Sequence, residues 1–277
     1  MDLRHAIEKI RPSVVQITLT ADGLSESAIA TLGGHGRMFS RPIGSGFFAA
    51  STGAVVTAKH VVDALPEWED RCRRLGATHI HTGIGIAHLM PGGKRGVFTV
   101  VGYTVIATDV SHDLAVLLPQ RNPFTGVAYA TINGDRVPLA CDIACLDTTR
   151  PQEGLPVGCS GYPLMNIALV TNSGIVASSW TVDLGQFASS APHELPDRYL
   201  ADMQINGGNS GGPVYSAVDS SVIGMAVASR LAPGVEAVPC RVEDAGLAVI
   251  VPSAYVAELL DANGIAWKAA SLAQLKM

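Results

Sequence analysis

The chain has 277 residues, 48% hydrophobic and 16% charged, with a formal net charge of −5. That length can bury a sizeable core, as one large domain or two small ones. The sparse, net-acidic charge excludes the usual signature of a nucleic-acid or anionic-membrane partner, and basic residues group only at Arg71, Arg73 and Arg74.

In chain order, residues 1–10 pattern as a short amphipathic helix without the apolar core of a signal peptide. No run is long enough for a membrane-spanning helix. A soluble, cytoplasmic protein is therefore expected. Residues 14–19 alternate as a half-buried strand, and 21–42, rich in Gly and Ser, read as a long loop. Residues 53–56 form an apolar run that reads as a buried strand ending at His60. Residues 66–95 read as a second long loop, with acidic Glu67-Trp68-Glu69-Asp70 followed by basic residues. A long β-branched strand is expected over 98–108, and another over 114–118, directly after Asp113. Strands over 155–161, 167–171 and 174–178 precede a third loop at 183–198. Strands over 214–215, 222–228 and 248–251 lead into a helix over 253–262, capped by Ser253 and ended by Asn263-Gly264. Short strands of this density, separated by turn residues, predict an all-β barrel architecture. The three long loops suit either regulation or plain surface variation.

The chemistry concentrates in Gly207-Gly208-Asn209-Ser210-Gly211-Gly212-Pro213. Glycines on both sides of a serine allow a tight turn and bring backbone N–H groups close to a ligand. Amides beside a nucleophilic serine can hold the oxyanion formed when it attacks a carbonyl. On these residues alone a flexible turn is the commoner reading. A serine also needs a base, and the base an orienting acid. His60 closes the apolar approach of 53–56, and Asp113 stands directly before a strand. Asp109 is the rival acid and His112 the rival base. In an extended chain His112 and Asp113 would face opposite sides.

The matching stretches Gly44-Ser45-Gly46-Phe47-Phe48, Thr57-Ala58-Lys59-His60-Val61-Val62, Asp113-Leu114-Ala115-Val116-Leu117, Gly161-Tyr162-Pro163-Leu164, Gly174-Ile175-Val176 and Gly208-Asn209-Ser210-Gly211-Gly212-Pro213 occur in one order. With Val222-Ile223-Gly224-Met225 and 247–252, they make the chain resemble the trypsin-like (chymotrypsin-fold) serine peptidases, most nearly the HtrA/Deg branch. The resemblance spans residues 12–260. It implies two six-stranded antiparallel β-barrels of the chymotrypsin type and a C-terminal helix. We place an N-terminal helical segment at 1–11, the first barrel at 12–122, a crossover at 123–134, the second barrel at 135–252, and the helix and tail at 253–277.

The resemblance implies a serine endopeptidase that acts through an acyl-enzyme. Ser210 is the nucleophile, His60 the base and Asp113 the orienting acid, with an oxyanion hole from the amides of Gly208, Asn209 and Ser210. Gln204 stands where trypsin-type enzymes hold an acid at the pocket base. With Met225, Ala226 and Val227 as the opposite wall, it predicts cleavage after a small or medium apolar residue. Asn209 replaces the aspartate of cleaved zymogens, so regulation by loops or a protein partner is expected instead. The alternative is a catalytically silent peptide-binding scaffold of the same fold. The substrate class is protein or peptide, with no cofactor and no metal. Members of the HtrA branch usually carry a PDZ domain after the protease, and from the short stretch after the last helix none is expected here.

The five cysteines, Cys72, Cys141, Cys145, Cys159 and Cys240, form no disulfide framework. Secreted members of the family carry cysteines where this chain has Val61 and Asn206, so a reducing compartment is expected. Cys141 and Cys145 lack a second pair for zinc. His79, His81 and His88 lie in the second loop, where His79-Ile80-His81 has the alternation of a strand and could put both rings on one side, but no acidic partner is evident, which argues against a metal site.

Overall fold

The computed structural model describes residues 2–33, 39–87, 98–125, 128–132, 135–139, 141–165, 168–179, 197–227 and 246–270. Helix α1 (Leu3–Ile10) is N-capped by Asp2, whose carboxylate accepts from the His5 amide (3.0 Å). The first barrel is built from β1 (Val14–Asp22), β2 (Phe39–Phe48), β3 (Val55–Ala58), β4 (His79–Ala87), β5 (Phe98–Asp109) and β6 (Leu114–Pro119). It closes in the order β1-β2-β3-β6-β5-β4. Helices α2 (Glu26–Thr31), α3 (Lys59–Asp63) and α4 (Leu65–Arg74) lie in its connections.

Strands β7 (Tyr129–Ile132) and β8 (Asp135–Pro138) pair with each other as a separate two-stranded sheet after the first barrel. The second barrel follows β9 (Cys145–Leu146). Its strands are β10 (Pro156–Gly161), β11 (Val170–Ser178), β12 (Tyr199–Asp202), β13 (Pro213–Ser216), β14 (Val222–Val227) and β15 (Leu247–Pro252). They run in the order β13-β10-β11-β12-β15-β14, and β14 pairs back onto β13 to close the ring. Strand β9 and the short β16 (Lys268–Ala269) extend the sheet from β14 in parallel pairing. The architecture is therefore two closed six-stranded antiparallel barrels with a C-terminal helix, α5 (Ser253–Ala262), as expected from the sequence.

One continuous apolar cluster joins the barrels. It holds Phe47, Phe48, Val56 and Leu117 from the first, Tyr215, Val222, Met225 and Val251 from the second, and Val256, Ala257 and Leu260 from α5. The second barrel keeps its own smaller core around Val157, Val176, Val214 and Ile250.

Two of the expected loops are partly regular structure. Residues 21–42 contain α2 and the start of β2, and 66–95 contain most of α4 and all of β4. Helix α4 escapes notice because only Leu65 and Cys72 of its ten residues are buried, so its apolar stripe is thin. In β4, Gly83 sits where a Cβ would approach the Val101 carbonyl to 2.6 Å, so close strand approach has selected a residue that reads as a turn. The expected strands at 167–171 and 174–178 are one strand, β11. Ser253 is not the cap: it is the first helical residue, and its hydroxyl donates to the Asp147 carbonyl. Most of 183–198, together with Ala228, Cys240 and His88, lies outside the described residues. The other four cysteines are free.

Candidate active site

His60 is the second residue of α3, just past the end of β3. Asp113 ends the turn between β5 and β6, in the left-handed region at φ +58°. Aspartate is one of the few residues that adopts this conformation readily. The turn brings its carboxylate back onto His60 at two points. The His60 backbone N–H donates to Oδ1 (2.9 Å), and the ring Nδ1 pairs with Oδ2 (2.7 Å). A third tie runs through the backbone, where the Lys59 N–H donates to the Asp113 carbonyl (2.9 Å). A carboxylate only accepts, so Nδ1 carries the proton, and in the neutral ring that leaves the lone pair on Nε2.

Asp109, the rival acid, does not reach His60. Its carboxylate pairs with His112 Nδ1 (2.6 Å) and accepts from the backbone amides of Ser111 (2.8 Å) and His112 (3.1 Å). The His112 ring stacks on Tyr255 of α5, with centroids 3.7 Å apart. Residues 110–113 form a turn rather than an extended chain, so the expectation that His112 and Asp113 face opposite sides does not apply.

Ser210 belongs to the second barrel, in the turn before β13, and is held against the first barrel. Its carbonyl accepts from the Ser45 N–H (2.9 Å), and the Ser45 carbonyl accepts from the Thr57 hydroxyl (2.6 Å), three residues before His60. The contact is so close that only glycines fit around it. A Cβ on Gly211 (φ +87°) would lie 2.0 Å from the Ser45 carbonyl oxygen and 2.3 Å from Thr57 Oγ1. A Cβ on Gly44 would meet both Val61 Cγ atoms at 2.7 Å and the Ser210 carbonyl at 3.3 Å. From the other side, Ala226 of β14 accepts from the Gly211 N–H (2.8 Å) and donates to the Gly212 carbonyl (2.9 Å). The Ser210 turn is thus wedged between β14 and the segment that leads to His60.

Residues 44–225 match the family model of the trypsin-like peptidase domain, which is well over half of the chain. The chain belongs to the trypsin-like peptidase family. Among solved structures, this trypsin-like peptidase is similar to an HtrA-type protease, AlgW, solved with a decapeptide, at a TM-score of 0.55 and 16% identity. The likeness covers 95% of this chain and 66% of the other, so the chain spans just under two thirds of that relative. A comparison with curated proteins gives no match.

Within the trypsin-like frame, the amides expected to form the oxyanion hole behave differently from one another. The Asn209 N–H is used inside the turn, donating to the Asn206 carbonyl (2.9 Å). Gly208 stands at φ +100°, with the Gly207 carbonyl accepting from the Leu164 N–H (2.7 Å). A planar trans peptide places C=O and N–H on opposite sides. Fixing the Gly207 carbonyl on Leu164 therefore aims the Gly208 N–H away from it.

The expected pocket residues divide between two environments. Gln204 is exposed, and its carbonyl accepts from the Asn172 side-chain amide. Met225 and Val227 pack into the cluster that joins the barrels, whereas Ala226 faces the second barrel's own core. His79 and His81 lie in β4, and no group of three or more metal-ligating side chains occurs among the described residues.

Sequence reasoning did not find Arg198. Its guanidinium donates to the carbonyls of Ser111 (3.3 Å) and Asp197 (2.8 Å). Burial lowers its pKa, while the charges of Asp113, Tyr255, Asp109 and Asp197 pull it back up. A cation therefore stands near the Asp113 carboxylate that pairs with His60. Nothing local marked it, since it closes a stretch that reads as a loop.

Proposed function

We propose that this trypsin-like peptidase is a serine endopeptidase acting through His60, Asp113 and Ser210. The observation that carries the reading is the two-point pairing of Asp113 with His60, on the segment against which the Ser210 turn is wedged. Ser210 Oγ bonds to the scissile carbonyl carbon while its proton passes to His60 Nε2, and Asp113 stabilises the imidazolium. The C–N bond then breaks, and the same proton goes to the leaving amine. Water repeats the sequence on the acyl ester and restores Ser210. The N–H groups of Gly208 and Ser210 are the proposed oxyanion donors.

We assign the substrate to proteins or peptides. The decapeptide held by the HtrA-type protease of the same fold supports that class. Gln204 offers no negative charge to a basic side chain, so we propose cleavage after a small or medium apolar residue. A buried cation without a partner there would be costly. A peptide panel with strict Lys or Arg preference would refute this.

Regulation is assigned to loops or a partner, because Asn209 carries no charge to pair with a freed N-terminus. Its side chain is buried, with Oδ1 set 3.0 Å from where a Gly161 Cβ would stand. The free cysteines support a reducing compartment, and no helix among the described residues is long and apolar enough to cross a membrane.

The test is reaction with a fluorophosphonate probe. Wild type is expected to label and Ser210→Ala is not. A wild-type protein that stays unlabelled refutes the reading.

A further inference from the structure

Ser45 is fully buried in β2, opposite Gln16 of β1, and every kind of polar group it has is engaged. Its N–H donates to the Ser210 carbonyl (2.9 Å), and its C=O accepts from the Thr57 hydroxyl (2.6 Å). Its Oγ donates to the Gly208 carbonyl (2.6 Å) and accepts from the Tyr162 N–H (2.8 Å). The side chain at this position must donate and accept at once, in a space that Gly161 keeps open. A Cβ on Gly161 would come within 2.7 Å of Ser45 Oγ. A hydroxyl on a single carbon meets these demands. Alanine fills the space but removes the Ser45 partner of a part-buried carbonyl, that of Gly208, and of a buried amide, that of Tyr162.

These contacts fall on the residue that most needs constraint. Gly208 is held at φ +100° with no side chain to lock it, and glycine rotates more freely than any other residue. Two hydrogen bonds fix the peptides on either side. Leu164 N–H takes the Gly207 carbonyl (2.7 Å) and Ser45 Oγ takes the Gly208 carbonyl (2.6 Å). Between two pinned carbonyls the Gly208 N–H keeps one direction. One of the pins comes from the other barrel, on a residue that also accepts from Thr57, three positions before His60.

We propose that Ser45 is the positioning residue of the oxyanion site. From the first barrel it fixes the Gly208–Asn209 peptide in the second, beside the Gly207–Gly208 peptide held by Leu164, so the Gly208 N–H is aimed by both pins and one of them needs the barrels docked through Ser45. This inference rests on the serine-peptidase reading given above. Removing the hydroxyl frees one pin while His60, Asp113 and the Ser210 nucleophile remain in place.

The experiment uses the full chain as wild type, Ser45→Ala and Ser45→Cys, with the fluorophosphonate as probe. Ser210 Oγ bonds to phosphorus, fluoride leaves, and the serine proton passes to His60. Charge builds on the phosphoryl oxygen, which needs the same donors. Labelling of Ser45→Ala is expected to slow on the order of 10–100-fold, less than or equal to the loss of a whole oxyanion donor. Ser45→Cys, which keeps a weak donor and acceptor, is expected to fall between. The downfield proton resonance of the His60–Asp113 pair should persist in both, a readout that general loosening would erase. Labelling of folded Ser45→Ala within about 3-fold of wild type overturns the inference and leaves the peptidase reading intact. If Ser45→Ala does not fold, Ser45→Cys decides: a slower rate supports the inference and a wild-type rate overturns it. An unlabelled wild type overturns both.

Discussion

Asp113→Asn separates the catalytic geometry from the fold more sharply than any other single change. His60 presents two donors to the Asp113 carboxylate, the backbone N–H at 2.9 Å and the ring Nδ1 at 2.7 Å. An asparagine has one acceptor end and one donor end. The backbone N–H cannot change its proton, so the amide oxygen must face it, and the NH2 group then faces the ring. The ring has to switch tautomer, accepting at Nδ1 and holding its proton on Nε2. An Nε2 already protonated cannot take the proton of Ser210. In triads of this geometry the same change costs about 10⁴ in rate, equivalent to about 5.5 kcal/mol. The fold should survive, because asparagine tolerates φ near +58° as well as aspartate does. The cost in stability is that of one charge-assisted hydrogen bond, about 1–3 kcal/mol. The assay is the fluorophosphonate labelling rate, read beside thermal melting and the downfield Nδ1 proton resonance. The variant is expected to be folded, to lack the resonance, and to label on the order of 10⁴-fold slower. Labelling within about 10-fold of wild type by a folded variant would refute the tautomer argument and return the acid's role to another residue, Asp109 first.

Two further predictions concern stability. Gly211→Ala combines a left-handed backbone, costing about 1–2 kcal/mol, with overpacking against Ser45 and Thr57, costing about 1–3 kcal/mol more. A fall in melting temperature of about 5–15 °C is expected, and a change under about 2 °C by calorimetry would show that the barrels are not wedged as described. At Asp109, burial pushes the carboxyl pKa up, but hydrogen bonds from the His112 ring and the His112 and Ser111 amides outweigh it and hold the pKa below its ordinary value. A depressed folded pKa gives stability that is present above the unfolded value and is lost as pH falls through the folded one. Wild type should therefore melt higher than Asp109→Asn near neutral pH, with the gap closing below about pH 4. A gap that stays constant down to about pH 2 would contradict the Asp109–His112 pairing. The variant's labelling rate should stay within about 3-fold of wild type, because Asp109 does not touch His60.

What the sequence revealed and what it hid follow from the range of the interactions involved. His60 and Ser210 were readable because each sits in a local pattern, an apolar strand running into a histidine and a serine flanked by glycines. Asp113 was preferred to Asp109 because a strand begins directly after it, although both border the same strand pair. A turn at φ +58° decides between them, and sequence shows such a turn only as a tolerance for aspartate. Strand β4 and helix α4 were lost to glycines and charges that packing, not propensity, had selected. Ser45 was visible only as part of a family-like Gly-Ser-Gly. Its hydroxyl acts on residues 117 and 163 positions away, and no window along the chain contains both. The patterns that mark His60 and Ser210 are therefore local in sequence, while the contacts that hold their segments together are distributed across both barrels. A partner or loop that shifts one barrel slightly against the other would reach the site first through Ser45 and Gly211, where a Cβ on Gly211 would lie 2.0 Å from the Ser45 carbonyl oxygen across the barrel contact. It would misdirect the Gly208 amide before it disturbed the His60–Asp113 pair, which lies wholly within the first barrel.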